Sequence, residues 1–269
     1  MAIPLRSDQR RRTFPWVTLG LLVANVAIFL FLQPVGFQEA VGDEGVQSEE
    51  WKVAETEEYA YRWGAVACEV TTGDIVADDP EGCTGDRADN LPQDKSIALS
   101  LLTAMFLHGN IAHLAGNMLF LWVFAAAVED RLGRGNFLGL YLVGGVLGTL
   151  GYVAANASSA EPLIGASGAI AAAMGAYFVL FPRAKVLTIV TTVAFQVVYV
   201  PAAVVLALFF ATQFITAFLA TDDNVAWEAH AVGMVAGVLG ALVLARVPAV
   251  RRRADLDADD ADLRLGSSF

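Results

Sequence analysis

The sequence GASGAIAAAMGAYF, residues 165–178, places a single serine, Ser167, at the start of an apolar run. Gly168, Ala171, Ala172 and Gly175 recur in this run at intervals of three and four residues, so they share one face of a helix. Seams of small residues let helix backbones pack closely in lipid. The stretch therefore predicts a helix that is buried in a membrane protein and begins with a polar side chain.

The composition extends this interpretation to the whole chain. Of the 269 residues, 56% are hydrophobic and 17% are charged, whereas soluble domains are typically about 45–50% apolar and ~25% charged. The charges between residues 136 and 247 fall at or near the gaps between apolar runs. Because a membrane-spanning helix needs about 20 predominantly apolar residues, the pattern predicts an all-α, polytopic membrane bundle.

Six apolar segments are candidate transmembrane helices. They cover residues 14–32, 111–128, 137–155, 167–181, 202–219 and 226–247. The first apolar run is long for that of a signal peptide, and no small-residue cleavage site follows it closely, so we expect it to be retained. Residues 186–200 are ambiguous: they are rich in valine and threonine, and fit a strand, a re-entrant loop or a seventh span.

The distribution of arginine and lysine predicts the orientation. Basic residues cluster before the first segment, after the last one and in alternate loops, and such clusters favour the cytoplasm. Six spans with both termini in the cytoplasm fit this alternation, and seven do not. The predicted organisation is an N-terminal segment (1–15), a first helix (16–33), an extracytoplasmic loop (34–98), a core (99–247) and a cytoplasmic tail (248–269).

The net charge of −11 comes mostly from two regions. Residues 34–99 hold 16 acidic and four basic side chains, and a second acidic run covers residues 255–262. Solvated loops explain both better than a metal site does. Nucleic-acid binding is not expected, because the basic clusters are short and flank membrane helices.

The chain has two cysteines, Cys68 and Cys83, and both lie in the predicted outer loop. They are 15 positions apart. If the loop faces an oxidising compartment, a disulfide between them is favoured over two free thiols.

Three histidines, His108, His113 and His230, lie in or next to apolar segments. An ionisable group inside a membrane helix is costly and is usually functional. The predicted topology places Ser167 and His230 at the outer ends of their helices, and Gly233 follows His230 on the same face. An isolated serine at this position is most often a helix cap, but the facing histidine favours a nucleophile and its general base.

A second polar cluster, HGNIAHLAGN, covers residues 108–117. His113 and Asn117 are four residues apart and share a helical face, where they can donate hydrogen bonds to a developing oxyanion. The alternative interpretation of this cluster is a zinc site. It is disfavoured because the spacing puts His108 and His113 on different faces and no glutamate lies beside them as in the zinc-protease motif. No metal is expected.

Together these motifs resemble the rhomboid family of intramembrane serine proteases. The matching segments are 108–117, 128–133 (VEDRLG), 165–168 (GASG) and 229–233 (AHAVG). The resemblance covers about residues 99–247 and, by topology, the first helix. A tryptophan-arginine pair that often precedes the core in this family is replaced here by Leu99 and Ser100.

The resemblance implies roles for individual residues. Ser167 would be the nucleophile and His230 the general base, without an acidic third member. His113, Asn117 and the backbone N–H of Ser167 would form the oxyanion hole. Supporting roles near the site are implied for His108, Gly165, Gly168 and Gly233.

The implied function is a serine endopeptidase that cuts transmembrane helices near their extracytoplasmic ends through an acyl-enzyme. Its partners would be membrane-protein substrates and lipid, it would need no cofactor, and a prokaryotic plasma membrane is the expected location. We also expect a polar cavity open to the outside beside the fifth helix. The rival interpretations are a relative that binds helices without cutting them, and a transporter. Substrate identity and oligomeric state stay open.

Overall fold

The structure is a computed structural model that describes residues 2–34, 50–78, 83–84, 91–191, 195–218 and 226–254. The acidic run at residues 255–262 and parts of the predicted outer loop lie outside the described residues. The helices are α1 (Trp16–Phe31), α2 (Glu50–Trp63), α3 (Ala67–Thr72), α4 (Ile97–Thr103), α5 (Ile111–Leu132), α6 (Arg134–Ala155), α7 (Ser167–Leu180), α8 (Ala202–Phe218) and α9 (Trp227–Leu244). The strands are β1 (Ala2–Ser7), β2 (Ala65–Val66), β3 (Pro162–Leu163), β4 (Lys185–Thr191) and β5 (Phe195–Pro201).

The helical membrane bundle predicted from the sequence is confirmed in its main feature. Among the described residues, α5, α6 and α9 are long and apolar enough to cross a membrane, whereas α1, α7 and α8 are apolar but shorter. Each of these six helices overlaps one of the predicted segments. The count of six spans and the side on which each terminus lies stay predictions.

Helix α7 lies at the centre of the bundle, between α5, α6 and α9. Small residues allow α7 to pack closely against its neighbours at this central position. Gly144 of α6 faces the methyl group of Ala172, and Gly233 of α9 faces the carbonyl oxygen of Gly168. Gly237 of α9 faces the backbone of Ala172 in the same way. The small-residue seam predicted from the sequence is therefore the surface on which α7 and α9 meet.

Two buried carboxylates at the end of α5 hold the beginning of α1. Glu129 accepts hydrogen bonds from the backbone N–H groups of Val17 and Thr18, at 3.0 and 2.7 Å, and from the Thr18 hydroxyl at 2.7 Å. Asp130 accepts from the backbone N–H groups of Arg12 and Thr13 just before α1. The first turn of a helix has unpaired N–H groups. Glu129 pairs with two of them, and Asp130 fixes the segment that leads into α1.

The described residues are mostly helical, but they depart from the all-α prediction in two small sheets, β1–β4–β5 and β2–β3. Strands β4 and β5 pair in antiparallel register, and β1 adds to β4 in the same way, so that Ile3 faces Ile189. The ambiguous segment at 186–200 is thus a pair of strands, because its many β-branched side chains suit an extended backbone. The N-terminal segment, expected to be only a polar extension, supplies the third strand.

The insertion between α1 and α4 is attached to the loop that precedes α7. Strand β2 pairs with β3, and the N–H of Cys68 donates to the carbonyl of Ser159 at 3.0 Å. Cys68 and Cys83 are joined by a disulfide. The insertion also reaches the core through Thr103 of α4, whose hydroxyl donates to the carbonyl of Trp63 at 2.6 Å. This contact lies one turn after Leu99 and Ser100. These are the two residues that stand in place of the tryptophan-arginine pair of the rhomboid pattern.

Candidate active site

Ser167 and His230 meet at the N-terminal ends of α7 and α9. The Oγ of Ser167 lies 2.7 Å from Nε2 of His230, a hydrogen-bond distance suited to a nucleophile and its base. His230 is only 7% exposed, and Ser167 is partly buried at the first position of its helix. The sequence predicted this pairing from residues 63 positions apart, and the structure brings them together.

The other predicted donors lie beside Ser167. Asn110 caps α5 by accepting the N–H of His113 at 2.8 Å, which fixes His113 in the first turn. Asn117, one turn later, is buried, and among the described residues its Nδ2 has no hydrogen-bond partner. The cavity described below is lined by His113, Asn117 and Ser167 together.

Gly165 makes this arrangement possible. Its φ of 130° is one that glycine adopts far more readily than other residues. A Cβ atom at this position would lie 2.9 Å from Nε2 of His113 and 3.7 Å from Oγ of Ser167. The absence of a side chain at Gly165 therefore leaves room between the imidazole and the serine. The N–H of Gly165 donates to the carbonyl of Ala104 at 2.8 Å, which holds the turn in place.

His108 lies behind His113 and does not reach Ser167 directly. It is 1% exposed, and its ring meets the His113 ring edge-to-face with centroids 5.1 Å apart. Gln33 at the end of α1 holds its backbone: Nε2 of Gln33 donates to the His108 carbonyl at 2.9 Å, and the His108 N–H donates to Oε1 at 3.0 Å. Sequence reasoning did not select Gln33, because a glutamine after an apolar helix carries no distinctive pattern.

A cavity of about 370 Å³ opens beside the pair. Its polar lining includes His113, Asn117, Ser167, Gln213 and His230. Apolar side chains of α5, α7 and α8 complete the wall, among them Phe120, Ile170, Met174 and Phe209. A cavity is thus present beside the fifth apolar segment, but its lining is mostly apolar, whereas a polar cavity was expected.

Gln213 of α8 is the site residue that the sequence did not reveal. Its Oε1 lies 3.1 Å from Nδ1 of His230, on the side of the ring opposite to Ser167. A single glutamine in an apolar helix gave no reason to connect it with a histidine 17 positions later.

A comparison of the chain with models of known protein families identifies the family to which it belongs. The family model for the rhomboid domain matches residues 96–247, more than half of the chain. The chain is a member of the rhomboid family. The matched region begins at the start of α4 and ends just after α9, so it contains every rhomboid motif identified in the sequence.

Individual rhomboid relatives match shorter stretches. The chain is 38% identical over 96 residues to the mitochondrial presenilin-associated rhomboid-like protein A of Danio rerio, covering 35% of this chain and 25% of that protein. It is 35% identical over 96 residues to the mitochondrial rhomboid protein 1 of Saccharomyces cerevisiae, covering 34% and 28%. It is 47% identical over 76 residues to the rhomboid protease GluP of Bacillus subtilis, covering 28% and 14%. The chain thus matches less than a third of each relative's length.

Proposed function

We propose that this protein is an intramembrane serine endopeptidase that cuts transmembrane helices near their extracytoplasmic ends. The observation that carries the proposal is the 2.7 Å hydrogen bond between Ser167 Oγ and His230 Nε2 at the edge of a cavity. Membership of the rhomboid family supports it, and so does the name of one relative, a rhomboid protease.

In the proposed mechanism, a substrate helix unwinds near its outer end and presents a peptide carbonyl to Ser167. His230 accepts the proton of the serine hydroxyl as Oγ attacks, and then donates it to the leaving amine. The acyl-enzyme that remains is hydrolysed by water, which His230 deprotonates in turn. The reaction needs no metal or cofactor.

The oxyanion of the tetrahedral intermediate would be held by His113, Asn117 and the backbone N–H of Ser167. Within the part of the chain that the structure describes, the amide of Asn117 has no partner. This supports the assignment, because a buried donor without a partner is costly unless a ligand uses it. The place of Ser167 in the fold also supports this oxyanion hole, since Ser167 is the first residue of α7 and helix N-termini favour negative charge. His108, Gly165, Gly168 and Gly233 would maintain the geometry around these donors.

We propose six membrane spans, with both termini in the cytoplasm and the site open to the outside. Each sheet pairs segments that this topology places on one side: β1 with the β4–β5 hairpin inside, and β2 with β3 outside. The disulfide between Cys68 and Cys83 supports an oxidising outer compartment. The proposed location is a prokaryotic plasma membrane; the names of two relatives place those proteins in mitochondria.

Labelling with an activated fluorophosphonate in native membranes tests the nucleophile. The wild-type protein should be labelled, and the Ser167→Ala variant should not. Ser158→Ala is the matched control, because that serine lies in the loop between α6 and α7, away from the cavity lining, and its loss should leave labelling intact. Equal labelling of wild type and Ser167→Ala would show that Ser167 is not the nucleophile.

Cleavage of a single-span substrate tests the base and distinguishes a protease from a relative that only binds helices. The His230→Ala variant should stay folded and lose cleavage. A wild-type protein that binds the substrate helix, resists fluorophosphonate and never cuts would instead be a non-proteolytic member of the family.

A further inference from the structure

Helix α8 presents two side chains to the imidazole of His230. Phe209 and Gln213 are four residues apart and therefore share a helical face. The Phe209 ring lies 6.0 Å from the His230 ring, centroid to centroid, and Oε1 of Gln213 lies 3.1 Å from Nδ1. The imidazole is thus contacted at Nε2 by Ser167, at Nδ1 by Gln213 and by an aromatic ring nearby.

The amide oxygen of Gln213 decides which ring nitrogen carries the proton. A carbonyl oxygen only accepts hydrogen bonds, so Nδ1 must donate. In neutral histidine the other nitrogen then has a free lone pair. Nε2 is therefore the acceptor for the Ser167 hydroxyl, 2.7 Å away, which is the tautomer that a general base requires.

We propose that Gln213 is a positioning residue that fixes the tautomer and ring orientation of His230, in the place where other serine proteases use an acidic side chain. This inference rests on the protease function proposed above. Because the glutamine amide is neutral, it orients the imidazole without adding a buried negative charge beside it, a charge that would be costly at this depth.

The hydrogen bond between Gln213 and His230 also makes the geometry of Ser167 and His230 depend on a third helix, α8. Ser167 and His230 lie on α7 and α9, which meet through glycine contacts, whereas Gln213 lies on α8 at the edge of the cavity. A displacement of α8 away from α9 would break the bond to Nδ1 while leaving the α7–α9 contact intact.

Three variants test the proposal by steady-state cleavage in lipid bilayers. Gln213→Met removes the acceptor and keeps the length of the side chain, so kcat should fall about three- to tenfold, the usual effect of one neutral hydrogen bond, with KM little changed. Gln213→Glu restores an acceptor and should rescue kcat. Gln196→Met, the same substitution on an exposed residue of β5, should have no effect.

The pH–rate profile separates positioning from simple packing. A carboxylate at position 213 would stabilise the imidazolium, so the acid limb of the Gln213→Glu profile should move to higher pH. The titratable side chain that acts on His230 from another helix is His113, and all variants retain it. An unmoved profile, together with an equal loss of kcat in Gln213→Met and Gln213→Glu, would overturn the proposal.

A second measurement does not depend on proteolysis. Nitrogen-15 spectra of histidine-labelled protein in bilayers, with the His230 signal assigned from its loss in His230→Asn, report which ring nitrogen is protonated. The Nδ1–H tautomer should dominate in wild type and in Gln196→Met, and its dominance should be lost in Gln213→Met. An unchanged spectrum in Gln213→Met would refute the positioning role. If wild type shows the expected tautomer but is never labelled by fluorophosphonate, the protease function fails and the Gln213 contact stands.

Discussion

Gly233 on α9 lies directly against the backbone carbonyl of Gly168 on α7. A Cβ atom built on Gly233 would overlap that oxygen and would lie 3.4 Å from the methyl carbon of Ala171. Gly168 follows Ser167, and Gly233 lies one turn after His230. The separation of the two helices, and with it the 2.7 Å hydrogen bond between serine and histidine, therefore depends on the lack of a side chain at this contact.

We expect Gly233→Ala to separate α7 from α9. The overlap is with backbone atoms, which cannot rotate away, so the cost should be about 1–3 kcal/mol of unfolding free energy, as for other overpacked cores. Fluorophosphonate labelling should fall more steeply than stability. Gly139→Ala is the control, since a Cβ there meets nothing within 4 Å. Thermal unfolding in detergent and labelling rates check both variants; a fully active Gly233→Ala protein would contradict the expectation.

We expect Glu129→Ala to be strongly destabilising. It would leave the N–H groups of Val17 and Thr18 and the Thr18 hydroxyl without their acceptor. Each buried donor left unpaired costs about 1–3 kcal/mol. Thr18→Val removes only the hydroxyl and should cost less than the glutamate variant. Unfolding of the purified protein in detergent measures the difference, and equal stabilities for the two variants would argue against the capping role.

The sequence predicted the site better than it predicted the supporting structure. Ser167, His230, His113 and Asn117 are polar groups in apolar helices, and such residues stand out because burying them is costly. Gln213 did not stand out, since one polar residue in a membrane helix does not identify its partner. Only the packing of α8 over the cavity reveals that its amide meets His230.

Strand β1 was missed for a different reason. Residues 2–7 contain no alternating pattern strong enough to indicate a strand, and β1 forms because β4 offers an unpaired edge. Pairing between segments about 180 residues apart depends on the helices that bring their ends together. In contrast, the valine-rich segment at 186–200 showed its strand character in the sequence, although its composition also fitted a membrane span.

We expect loss of the disulfide to loosen the loop that leads to Ser167. Hydrogen bonds from the insertion hold this loop, among them Cys68 N–H to Ser159 and the backbone pairing of Thr84 with Ser158 and Ala160. A disulfide that closes a loop of 15 residues contributes about 3 kcal/mol in the chain-entropy account. Cys68→Ser/Cys83→Ser should therefore increase amide hydrogen exchange at residues 156–163.

The same disulfide variant should leave exchange unchanged at the α7–α9 contact, which serves as an internal control. The mass of intact wild-type protein after alkylation, with and without prior reduction, verifies that the bond is present. Unaltered exchange at residues 156–163 in the variant would show that hydrogen bonds alone hold the loop.

A buried ion pair inside the insertion should make its stability depend on pH. The ammonium of Lys95 contacts the carboxylate of Glu69, and both side chains are almost fully buried. Burial lowers the pKa of Lys95 from 10.5, and the nearby Glu69 carboxylate opposes part of this shift. Between the lowered value and 10.5, the folded protein binds fewer protons at Lys95 than the unfolded chain does.

The free energy of unfolding of the insertion should therefore rise with pH across that window, and this gain should be lost as the pH falls through the folded pKa of Lys95. Hydrogen exchange in α3, corrected for the intrinsic effect of pH, measures the local stability. In the double variant Glu69→Gln/Lys95→Met the pH dependence should disappear, because neither group titrates, while the glutamine oxygen still accepts the N–H of Val76 as Glu69 does at 3.0 Å. If the free energy of unfolding still rose with pH in the double variant, the pH dependence would come from other groups. The pKa of Lys95 would then be an ordinary one.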